Sequence, residues 1–440
     1  MNVATPGVFD VSNAAAKARA RAEKQAFFWL SAFFLVYCAR PEDWIPGLFH
    51  APLAKITGIA ALWGLYKIGG LKSRVLSNLP VESSYLLFLI GWFYFSGFLS
   101  PVWKGGGVSH AIDFSKSFVV WLLTYLLVTD FKKFRSILFI QAACVALISV
   151  VSIIKGYNTP RLQGVLGGIY GNPNDLAFAI VLCFPFALAF LLTARKTMYK
   201  LLWFCGMITM MIALMMTASR AGFIDLVVSG SVCLWHFGVR GKRMYLIVAT
   251  LFLALLIMVT AGKKLEQRLM ATTGDSQDVA AEKEAYGSLE ARKYLMKRAV
   301  QGIEQYPVLG IGIGNFITYS GVWHEVHMSY LEIGVEGGIP ALILYLLFFS
   351  RGFANLRKLR KMAWLDPETT LFVGALHSSL IGFVVGALFA PEAYQFFPYF
   401  SVGFTSALLA IASRHEAVLE LKPVRRSSMA LIQAETYVAT

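Results

Sequence analysis

Apolar runs of membrane-crossing length recur along almost the whole of this 440-residue chain, separated by short basic turns. A run of that length satisfies its backbone polar groups in lipid by forming a helix. The runs fall at 26–40, 51–68, 81–99, 114–129, 134–154, 175–194, 199–217, 222–238, 244–261, 338–352, 369–390 and 396–413. The expected fold is therefore an all-α polytopic membrane protein with about 12 transmembrane helices. Hydrophobic residues make up 57% of the chain and charged residues 15%, far from a soluble composition. One long polar stretch, Gly262 to Gly338, interrupts the series between the ninth and tenth helices.

The distribution of Lys and Arg sets the expected orientation. With the amino terminus in the cytoplasm, seven inner segments hold 25 of these residues. The five short outer loops then hold only Arg40, Lys104, Lys155, Arg161 and Arg220. Both termini are thus expected inside and the polar stretch outside. The expected divisions are a cytoplasmic tail at 1–25, helices 1–9 within 26–261, an outer loop at 262–337, helices 10–12 within 338–413, and a second cytoplasmic tail at 414–440. The first apolar run lacks a small-residue cleavage site and reads as a retained helix. The net charge of +15 is mostly an orientation signal. Its dispersal over seven short loops forms no track for nucleic acid, while the basic inner face suits anionic membrane lipids. The five cysteines, Cys38, Cys144, Cys183, Cys205 and Cys233, all fall inside expected spans, so no disulfide framework is implied. No six-plus-six repeat or matched pair of broken helices is evident, which counts against common transporter architectures.

The polar stretch carries eight Lys/Arg residues and the acids Glu282, Glu284, Glu290 and Glu304. A channel or simple anchor has no need of such a segment, whereas an enzyme acting on lipid-borne substrates does. Ala281 to Gln305 has helical composition, and Tyr306-Pro307 is expected to end that helix. Gly310-Ile-Gly-Ile-Gly314 lacks the strand–turn–helix context of a dinucleotide fingerprint and reads as a tight turn.

Three outer positions are candidates for chemistry. Arg161 precedes Gly171-Asn-Pro-Asn174, which opens a helix, and Arg220 sits at the start of another. Helix amino ends present unpaired N–H groups and partial positive charge, so an arginine beside one makes a phosphate or diphosphate site. The plainer reading is an anchor to lipid headgroups. His327 is the third: its unperturbed pKa near 6.5 leaves a neutral fraction able to act as a base. A lone interfacial histidine is also often structural. His324 and His327 would share a face if their segment were helical. Their spacing is not that of a His-Glu-x-x-His zinc motif, and no further ligand completes a set, so no metal is expected. Glu332 and Glu336 either orient His327 or end the loop.

Taken in order, several motifs resemble the O-antigen ligase superfamily of bacterial inner-membrane glycosyltransferases. They are Arg161-x-x-Gly leading to Gly-Asn-Pro-Asn, Thr217-x-Ser-Arg-Ala-Gly222, and Arg292 ahead of Tyr306-Pro-Val-Leu-Gly-Ile-Gly-Ile-Gly-Asn-Phe. His327-x-Ser-Tyr330-Leu-Glu and Gly-Gly-Ile-Pro340 follow. The family usually has Asn after the motif histidine, where this chain has Met328. The resemblance implies transfer of a glycan from undecaprenyl diphosphate to a lipid A–core sugar at the periplasmic face, inverting and without metal or other cofactor. It implies Arg161, Arg220 and Arg292 on the diphosphate, His327 as general base, and Asn172, His324 and Tyr330 among the substrate-binding residues. An O-antigen polymerase or a protein O-oligosaccharyltransferase shares these motifs. A transporter of lipid-linked glycan is the reading from another class.

Overall fold

The computed structural model describes residues 8–49, 51–159, 161–164, 169–252, 279–362 and 364–438. Among the described residues there is no β-strand. The main helices are α1 (Val8–Ala39), α2 (Leu53–Lys67), α3 (Val81–Phe98), α4 (Lys104–Leu127) and α5 (Phe131–Gly156). Next come α6 (Pro173–Thr193), α7 (Thr197–Thr217), α8 (Arg220–Leu234, continuing as a wider π turn to Arg240), α9 (Val279–Gln305) and α10 (Phe316–Ser320). The chain closes with α11 (Ser329–Leu359), α12 (Pro367–Gly386) and α13 (Phe396–Val438).

Among the described residues, seven helical segments are long and apolar enough to cross a membrane: Phe131–Gly156, Pro173–Thr193, Thr197–Thr217, Arg220–Arg240, Ser329–Leu359, Pro367–Gly386 and Phe396–Ala417. The protein is a multi-pass membrane protein. The earlier expected crossings do not meet that measure; α2, for example, has 15 residues and is about 22 Å long, short of a bilayer core. Of the expected ninth crossing, 245–252 is helical, and 253–261 lies outside the described residues, as do loop residues 262–278.

Helix ends depart from the apolar runs where local chemistry allows. The fourth helix starts at Lys104, ten residues before its apolar run, because a polar helix turn closes its hydrogen bonds as well as an apolar one. The first helix likewise begins at Val8, in the segment expected as a tail. Asp130 and Asp366 cap α5 and α12, accepting from Lys133 N at 2.8 Å and Thr369 N at 3.3 Å. α11 begins nine residues before its expected start and is really two pieces, broken at Gly338 with φ 71°. A Cβ there would lie 2.2 Å from the Val308 carbonyl oxygen, so both the dihedral and the close approach require glycine.

One large apolar core runs between the helices, with α3 packed on α4 and α11, α6 on α7 and α12, and α8 on α12. Glu82, only 1% exposed, ties three helices. It accepts from Asn355 Nδ2 at 2.8 Å and Ser406 Oγ at 2.5 Å, with Arg351 at 3.8 Å. A second, small core gathers Leu295, Ala299, Ile311, Phe316, Val326 and Val335. It joins α9, the glycine turn and α10 to the first part of α11, and so frames the segment that carries His327.

Candidate active site

Two helix amino ends are stitched together at the centre of the site. Asn172 caps α6 through its side-chain oxygen, which accepts from Asn174 N at 2.9 Å. Ser219 caps α8, accepting from Gly222 N at 3.1 Å, and its hydroxyl donates to Asn174 Oδ1 at 2.7 Å. One serine therefore closes its own helix and holds the neighbouring one beside it. Arg220 is the first residue of α8 and is exposed. The chain reaches it through Ala218, whose φ of 50° turns α7 sharply into α8. Arg161 is tied to the same corner: its Nε donates to Thr217 O at 3.2 Å, and Leu162 N donates to Met216 O at 2.9 Å. Both arginines thus stand at the junction of α7 with α8.

Arg292 comes to them from α9. Burial and the Arg220 guanidinium push its pKa below the usual guanidinium value. Its Nε is buried with no hydrogen-bond partner. Two guanidinium groups held this near one another repel, and an unpaired buried donor is costly; a bound anion relieves both.

His327 lies next in the row. Burial, then the Arg292 charge, then His324, push its pKa from 6.5 down to about 4. Its Nδ1 is buried without a hydrogen-bond partner. The imidazole is accordingly neutral near pH 7, with a nitrogen committed to nothing in the protein. The segment 322–328 is not helical, so the shared helix face for His324 and His327 does not form. His324 is exposed, its Nδ1 against the Trp323 carbonyl.

Other residues named from sequence have local bonds. The Tyr330 hydroxyl donates to Val384 O at 2.8 Å, joining α11 to α12, and Asn172 is the α6 cap described above. Glu336 has a defined part in building the loop. It accepts from Gly314 N at 2.8 Å, Phe316 N at 3.1 Å and the Tyr394 hydroxyl at 2.5 Å. The glycine turn, with φ of 68°, 91° and 71° at Gly310, Gly312 and Gly314, is clamped by this one carboxylate. Ile311 N and Gly312 N donate to Val335 O at 2.9 Å and Glu336 O at 2.8 Å, completing the junction.

The sequence reading missed half-buried Asp175 and the buried acids Asp225 and Glu392. Asp175 and Glu392 share a side-chain hydrogen bond, and burial, then the Asp175 charge, holds Glu392 well above the usual carboxylate range. Both Asp225 oxygens are buried with no partner, as is Oε2 of Glu332. Each is a single acid in an otherwise apolar run or turn, and nothing local marks it. Ser329 fastens the neighbourhood: its hydroxyl donates to Ala390 O at 2.8 Å and accepts from Glu392 N at 2.9 Å. Among the described residues no group of three His, Cys, Asp or Glu is placed to hold a metal ion.

Comparison with known proteins adds to this geometry. No curated protein matches the chain. A solved chain from "Structural coordination of polymerization and crosslinking by a peptidoglycan synthase complex" is similar over 75% of this chain and 97% of its own. Identity there is 15% and the TM-score 0.39. Residues 205–346, which include Arg220, Arg292 and His327, match the protein-family model described as O-Antigen ligase. Over that stretch the chain is similar to the O-antigen ligase superfamily.

Proposed function

We propose that this chain is a glycosyltransferase of the bacterial inner membrane that ligates O-antigen polysaccharide from undecaprenyl diphosphate onto a lipid A–core hydroxyl. The observation that carries the reading is the row Arg220–Arg292–His327, two neighbouring cations beside an imidazole whose Nδ1 has no partner. In this reading both termini are cytoplasmic, twelve helices cross the bilayer, and 262–337 forms the periplasmic loop.

Arg161, Arg220 and Arg292 hold the donor diphosphate and stabilise the charge it gains on leaving. The acceptor oxygen attacks the anomeric carbon as its proton passes to His327. The new carbon–oxygen bond forms while the bond to the diphosphate breaks, and the diphosphate departs with that electron pair. A single displacement inverts the centre. A histidine with a pKa near 4 is neutral but a weak base. Donor binding corrects this, because the diphosphate offsets the Arg292 field and raises the basicity of His327 as the reaction needs it. Base and arginine assistance replaces metal chemistry here, and positioning of two lipid-anchored substrates supplies much of the rest.

Gene deletion followed by analysis of the envelope tests the assignment. Full-length glycan accumulating on undecaprenyl diphosphate supports ligation. Lipopolysaccharide carrying a single repeat identifies a polymerase instead, unglycosylated target protein identifies a protein O-oligosaccharyltransferase, and an unchanged envelope overturns the family of readings.

A further inference from the structure

Trp323 is 85% exposed, the most exposed large hydrophobic side chain among the described residues. Single exposed apolar residues are ordinary on a protein surface, but the backbone around this one is pinned. Three residues on, Val326 is fully buried in the small outer core. Behind Trp323, Ser320 Oγ accepts from Val322 N at 3.2 Å, and His324 N donates to Val322 O at 2.7 Å. That last bond spans three residues and makes a tight turn with Trp323 at its apex. The turn therefore places Trp323, with its side chain exposed, on the segment that also carries His327.

Its place in the row of the site matters. Arg220 acts on Arg292, Arg292 and His324 both act on His327, and the His324 ring lies against the Trp323 backbone. The arginines come to His327 from α8 and α9, whereas Trp323 lies four residues before it on its own segment. A base must touch the acceptor hydroxyl, and the donor diphosphate takes the arginine end, so the acceptor approaches from the tryptophan end.

Resting on the reading above, we infer that Trp323 is the stacking platform for the acceptor's sugar ring. A pyranose offers C–H groups to an aromatic face and hydroxyls at its edge; exposed His324 and Glu325 follow the tryptophan in the chain and carry hydrogen-bonding groups suited to those hydroxyls. Residues 321–328 contain one acid and no Lys or Arg, so the segment is unsuited to anionic lipid headgroups.

The test uses full-length protein reconstituted in vesicles with purified donor and acceptor glycolipids. Trp323→Ala should raise the acceptor KM by about tenfold or more, with donor KM unchanged. Trp323→Tyr should restore most of the loss, and Trp323→Leu should not. Equal rescue by Leu would show a lipid-facing apolar contact and overturn the inference. So would an unchanged acceptor KM, or a change confined to the donor. His327→Ala runs in parallel: full transfer there sinks the enzymatic reading itself, whereas a dead His327→Ala with a normal Trp323→Ala sinks only the platform.

Discussion

Replacing Arg292 by Met separates two effects that the site combines. The side chain is removed with little loss to the fold, since its buried Nε bonds to nothing in the protein. Moving the His327 pKa from 6.5 to about 4 disfavours the imidazolium by roughly 3 kcal/mol. Burial is the largest cause and the Arg292 charge the second, so Arg292 holds less than half of that. Its loss should raise the His327 pKa by up to about one unit. Diethyl pyrocarbonate modifies histidine only in its neutral form, and mass spectrometry of the His327 peptide reports its titration without any turnover. The midpoint should lie near 4 in the wild type and move upward in Arg292→Met. Donor affinity should fall at least about tenfold, the loss of a charge-assisted bond to a phosphate. A midpoint that stays put or falls would refute the proposed contact between cation and base. A shifted midpoint with normal donor affinity would remove Arg292 from the diphosphate site.

Arg161→Lys and Arg220→Lys keep the charge but lose the two-pronged guanidinium, so each should cut turnover by about tenfold or more at normal protein levels. Wild-type rates in both would leave them as headgroup anchors. Purified enzyme treated with EDTA should keep transferring glycan; loss that Mg²⁺ or Mn²⁺ restores would return His324 and the loop carboxylates to consideration as ligands. For orientation, a cysteine at Ser276 should react with an impermeant thiol reagent in intact spheroplasts and one at Ser427 should not. The reverse pattern would place the site in the cytoplasm.

The apolar runs identified helical stretches because burial in lipid depends on composition, but they located helix ends poorly. Lys104 and Val8 open helices in polar sequence, and Gly338 marks a break inside a helix whose first part the runs did not reveal. The helix starts at Pro173 and Arg220 were legible because capped starts have a short local signature, and Asn172 and Ser219 supply those caps. The two possible parts for Glu336 were not separable in sequence, since its bonds to Gly314, Phe316 and Tyr394 reach up to 58 residues away. A much larger separation in the chain hid the pairing of Asp175 with Glu392. Nothing in sequence shows the Val384 carbonyl that accepts the Tyr330 hydroxyl's hydrogen bond.

The central claim is that His327 takes the acceptor's proton, and one comparison tests it most directly. Transfer rate and donor affinity are measured for wild type and His327→Ala in the same reconstituted assay, with His324→Ala beside them. The account predicts that His327→Ala loses transfer by roughly a hundredfold or more while donor affinity holds, because the arginines bind the diphosphate. His324→Ala should be milder. Transfer at the wild-type rate in His327→Ala, or a defect confined to donor affinity, would contradict the account and return His327 to a binding or structural role.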